Sequence, residues 1–86
     1  MYKYEEQRHN IFTERGQEMF IQIRDHTLKL LDTAGAVSMG KAMQGCSCGD
    51  SWTMMTCVDR MVEMGDIKEI AQPKHVWAQN RIFVKR

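Results

Sequence analysis

The sequence predicts a small α+β domain, mainly helical, with three helices followed by a C-terminal β-hairpin over residues 12–86 and an N-terminal arm over residues 1–11. Three observations predict it. Two stretches carry apolar residues at helical spacing and stop at a glycine, Gly35 and Gly65. Past Gly65 the apolar period switches from helical to alternating. The 86 residues, 43% hydrophobic and 27% charged, suit one compact domain and argue against general disorder.

Residues 1–11 set Tyr2 and Tyr4 among charged side chains with no clear period, which reads as an arm. From Phe12 the pattern changes. Phe12, Met19, Phe20, Ile23, Leu30, Leu31 and Ala34 share one arc at ~100° per residue, the mark of a long amphipathic helix. Thr13 caps its start, Glu14 suits the positive end of the helix dipole, and Gly35 supplies the left-handed residue that ends it. Gly16 lies on the apolar arc, where a neighbouring element can come close. Ile21 and Leu28 lie seven apart on the opposite side, as ordinary surface residues or as a stripe for a second copy.

Ala36-Val37 reads as a very short strand or a bend, and Ser38 caps a short helix over Met39–Gln44 that Gly45 stops. Asp50 or Ser51 caps a third helix running to Gly65. Met54, Val58 and Met61, with Cys57 and Met64 beside them, mark its buried face; Trp52, Thr53, Met55, Thr56, Asp59, Arg60 and Glu63 mark the open one. Ile67 and Ile70 mark the first hairpin strand and residues 81–85 the second, separated by a loop that holds Pro73 and Trp77.

The net charge of +1 excludes nucleic-acid binding by bulk charge alone. It is nevertheless polarised: residues 66–86 carry +3 and the rest −2. No run approaches the ~20 apolar residues of a membrane span and no signal-peptide core is visible, so the expected compartment is cytoplasmic, with no membrane partner. Nucleophile-elbow, zinc-protease and glycine-rich phosphate motifs are all missing from the sequence, so neither an enzyme nor a cofactor is expected. Cys46, Cys48 and Cys57 match neither a disulfide framework nor a four-ligand zinc site. They read as reduced structural thiols, or as a thiol or metal sensor at Cys46 and Cys48, which Gly45 and Gly49 would leave exposed. The eight methionines read as adaptable core filler.

The stretch from Ser38-Met-Gly-Lys-Ala-Met to Met54-Met-Thr-Cys-Val-Asp-Arg-Met-Val-Glu-Met-Gly-Asp-Ile-Lys-Glu-Ile resembles the winged helix-turn-helix domains of bacterial and phage transcription regulators. Met61 to Gly65 followed by Asp66-Ile67 matches the family's helix running into its first wing strand. The resemblance implies a double-stranded DNA-binding protein, a homodimeric transcriptional regulator or an accessory factor of a phage or mobile element. Helix 51–64 would lie in the major groove and the wing, residues 66–86, on the phosphate backbone. The residues it assigns to DNA are Ser51, Trp52, Thr53, Met55, Thr56 and Arg60 on the helix and Lys74, His75 and Arg81 on the wing. Arg60 is the one base on that helix, beside Asp59 and Glu63, so the same fold used for protein contact is the alternative. No separate effector domain is expected in this chain.

Overall fold

Thr13, Ser38 and Asp50 each sit where extended backbone turns helical, and each side chain accepts a hydrogen bond from the amide three residues on, at 3.0, 3.2 and 2.8 Å. They open helices α2 (Glu14–Ala34), α3 (Met39–Met43) and α4 (Ser51–Met64) of the computed structural model, which describes residues 1–47, 49–70 and 80–86. Gly35 and Gly65 end α2 and α4 with φ of 80° and 86°, the left-handed conformation expected of them. The cap of α4 is Asp50 rather than Ser51.

A fourth helix is present, where three were expected. Residues 1–11, read as an arm, contain α1 (Tyr4–Gln7) and a 3-10 turn (Arg8–Ile11), and both pack against α4. Ile11 is fully buried. Gly16 makes this possible, because a Cβ there would lie 2.6 Å from the Ile11 Cα.

In α2 the side chains of Met19, Phe20, Ile23, Thr27 and Leu31 are buried. Phe12 and Ala34, placed on the same arc by periodicity, are exposed, since Phe12 precedes the first turn and Ala34 closes the last. Cys57, Val58 and Met61 of α4 join the core, while Met64 at its end is half exposed. Met55 and Thr56, expected on the open face, are buried as well. The reason is tertiary: α2, α3 and the sheet press on one side of α4, and α1 and the 3-10 turn on the other.

The remaining elements are β1 (Ala36–Ser38), β2 (Ile67–Glu69) and β3 (Ile82–Lys85), so 36–38 is a strand rather than a bend. They form an antiparallel sheet in the order β1-β3-β2, with Val37 opposite Phe83 and Glu69 also opposite Phe83. The expected two-stranded hairpin is thus the larger part of a three-stranded sheet. Its inward residues Val37, Ile67 and Phe83 complete the core beneath α2 and α4. The molecule is therefore α+β and mainly helical. Among the described residues no helix is long and apolar enough to cross a membrane.

Candidate nucleic-acid interface

Plotted at ~100° per residue, Trp52, Thr56, Asp59 and Glu63 share an arc of about 60° on the side of α4 opposite Met54 and Met61. The resemblance assigns two of these, Trp52 and Thr56, to DNA. The structure fills the arc with the chain's own first residues. The Tyr2 hydroxyl donates to Asp59 Oδ2 at 2.6 Å, and its ring meets Trp52 edge-on at 6.2 Å. The Tyr4 hydroxyl donates to Glu63 Oε1 at 2.7 Å. Arg8 Nε donates to both Glu63 oxygens, at 3.0 and 3.2 Å, and Arg60 donates to the same carboxylate at 2.6 Å. The Phe12 ring has the Arg8 and Arg60 guanidiniums 4.8 and 5.2 Å from its centre, a cation–π arrangement.

The titration of these groups follows from the contacts. The Tyr4 hydroxyl, with Arg8 and Arg60, pulls Glu63 down to about 2. Burial, reinforced by Glu63, pushes the Tyr4 phenol up to about 12. Burial and the hydrogen bond to Asp59 likewise push Tyr2 up.

Arg81 closes the cluster on the sheet side. Its guanidinium donates to Glu69 at 2.7 and 2.9 Å and to Asp59 at 2.9 and 3.3 Å, and it lies 5.3 Å from the Phe83 ring centre. Glu69, then Asp59, hold it charged well above the ordinary arginine value. Asp59 is only 11% exposed and Arg81 23%, so this pair is largely removed from water.

No family model, curated protein or solved structure matches the chain.

Of the residues assigned to DNA, Ser51 and Trp52 are exposed at the first turn of α4. Thr53 lies beside them with its hydroxyl donating to Asp50 Oδ2 at 3.1 Å. Met55 and Thr56 are buried, and Thr56 Oγ1 donates to the Trp52 carbonyl at 2.6 Å. Neither is open to solvent, because the elements packed on α4 cover both. Arg60 and Arg81 are engaged by carboxylates. Lys74 and His75, with Trp77 and Cys48, lie outside the described residues. The Asp50 carboxylate already occupies the N-terminus of α4, and the Thr53 amide keeps it ionised. A phosphate approaching there meets a like charge.

Sequence reasoning missed Tyr2, Tyr4, Arg8 and Phe12. The one signal for them was the i, i+4 pair Asp59 and Glu63, two carboxylates on one helix face that need partners. Elsewhere on the hairpin, Lys68 and Arg86 are exposed with no ion pair among the described residues, whereas Lys85 lies 3.5 Å from Asp32. Cys46, expected exposed, is buried. Burial pushes the Cys57 thiol up to about 12, out of the reactive range. Among the described residues no group of three His, Cys, Asp or Glu side chains is placed to hold a metal ion.

Proposed function

We propose that the chain is a winged helix-turn-helix protein that binds double-stranded DNA as a homodimer and acts as a transcriptional regulator or an accessory factor of a phage or mobile element. The observation that carries this reading is the order α2, β1, α3, α4, β2, β3 with β3 between β1 and β2. That order sets a two-stranded wing directly after a helix braced by a shorter one, the geometry that lays one helix in a major groove and a hairpin beside it. A second point supports it. Asp59 and Glu63 would repel phosphate if bare, but Arg81 pairs with the first and Arg60 with the second. The DNA contacts in this reading come from Ser51 and Trp52 at the head of α4 and from Lys68, Lys74 and Arg86 of the wing.

Anisotropy titrations against duplex DNA at 50 and 200 mM salt test it. Affinity should fall steeply with salt, and Lys74→Ala should weaken binding on every sequence. Absence of duplex binding at low salt rejects the proposal. Two wings from a dimer should also protect half-sites about one turn, ~34 Å, apart.

A second reading, a protein-interaction module, is favoured by one observation: the outer arc of α4 already holds a peptide segment, with Trp52 41% exposed at its rim. It predicts a binding partner lost on Trp52→Ala while duplex affinity is unchanged.

A further inference from the structure

We propose that residues 1–10 are a strap that gates α4: docked as described they keep the helix out of a DNA groove, and duplex binding requires them to swing away about Ile11. The inference rests on the DNA-binding reading and adds its regulation.

Shape supplies the first argument. A single helix, about 10–12 Å across with its side chains, fills a major groove about 12 Å wide. Here the arc of α4 opposite its core lies under Tyr2, Tyr4 and Arg8. Thr56, at one edge of that arc, has no exposure at all. A helix carrying a second layer on its outer side is too thick to enter.

Charge supplies the second. Glu5 and Glu6 of the docked strap are exposed beside a single exposed cationic side chain, Lys3, so the surface offered in place of α4 has no excess of positive charge for phosphates.

The third argument is the manner of attachment. No residue of α1 is buried, and the strap is held by two phenol-to-carboxylate hydrogen bonds, the Arg8–Glu63 pair and the Tyr2–Trp52 ring contact. The Tyr4 and Arg8 contacts are exposed and exchange readily with water, so release turns on Tyr2, which is half-buried against the core with its hydroxyl on Asp59. Ile11, by contrast, is wholly buried against Gly16, which fixes the hinge at the end of the 3-10 turn. Release does not strip the arc to bare acid. Asp59 keeps Arg81, and Glu63 keeps Arg60. The uncovered face would then present Trp52 and Thr56 with its two carboxylates still paired.

The test uses the full-length chain as wild type, as the Tyr2→Phe/Tyr4→Phe double variant, and as Arg8→Gln, which leaves both phenols in place. Duplex affinity is measured by anisotropy at low salt, and amide hydrogen exchange over residues 4–11 is followed with and without DNA. The expected result is tighter duplex binding by both variants, roughly tenfold if the open form is populated near one part in ten. Residues 4–11 of the wild type should also lose protection when DNA is added. Equal affinities, with residues 4–11 still protected in the complex, overturn the strap and leave DNA binding standing. No duplex binding by any of the three proteins overturns the DNA reading and the gate with it. Circular dichroism verifies that the variants are folded, and the Arg8→Gln comparison stands if the tyrosine pair is not.

Discussion

Arg81→Ala separates the sequence-based role of that residue from the structural one. As a phosphate contact, Arg81 would be dispensable for folding; as the link between α4 and the sheet, it is not. Its guanidinium bridges Asp59 and Glu69 with four hydrogen bonds, and Asp59 is 11% exposed. An exposed ion pair is worth ~0–1 kcal/mol, and removing one partner of a buried pair costs ~3–5 kcal/mol. At 23% exposure Arg81 lies between these limits, and Tyr2 still donates to Asp59 after truncation, so a loss of about 2 kcal/mol is expected. For a chain of this length that lowers the melting temperature by about 8–16 °C. Thermal denaturation followed by circular dichroism at pH 7 measures it. Arg81→Lys should fall between the two, since it keeps the charge and loses the fork. A melting temperature within 2 °C of wild type, together with weakened duplex binding, would refute the linking role and return Arg81 to the phosphates.

Gly16→Ala should destabilise by about 2 kcal/mol, because the new Cβ meets the Ile11 backbone, which cannot rotate away as a side chain would; a urea midpoint unchanged or raised by the helix-favouring alanine would contradict this. Thr27→Val should stabilise by about 1 kcal/mol, since Thr27 Oγ1 is buried without a hydrogen-bond partner among the described residues and valine keeps the shape; a lower urea midpoint would reveal a partner for that hydroxyl. Glu63, drawn down to about 2 in the folded chain against ~4.3 when unfolded, stabilises fully above the unfolded value, and its contribution is lost as pH falls through 2. Melting temperature should therefore drop less steeply between pH 5 and 2 in Glu63→Gln than in wild type, and parallel curves would count against the Tyr4–Arg8–Arg60 cluster.

What was legible in the sequence was local. Thr13, Ser38 and Asp50 act on amides three residues away, and Gly35 and Gly65 act on their own backbone, so the bounds of α2 and α4 could be read without knowing the rest of the chain. The strand at 36–38 was open between two readings because three residues are too few to show alternation and its partner is β3. The strap was illegible. It docks by the tips of Tyr2, Tyr4 and Arg8, which have no period, and the single apolar anchor, Ile11, sets no pattern. The site residues went astray for the same reason. Met55 and Thr56 look outward on a helix with one covered side, but α4 has two, and nothing within Ser51–Met64 announces the second.

The position of β3 has a consequence for the order in which the molecule assembles. Among the described residues β1 and β2 pair only with β3, so neither has a strand partner until residues 82–85 take their place between them. Until then Val37 and Ile67 are the lining of a half-built core that Phe83 has yet to close. The helices can meet earlier, since α2 and α4 touch without the sheet. Assembly of the helices can thus precede that of the sheet, and the seating of β3 closes both of its seams at once.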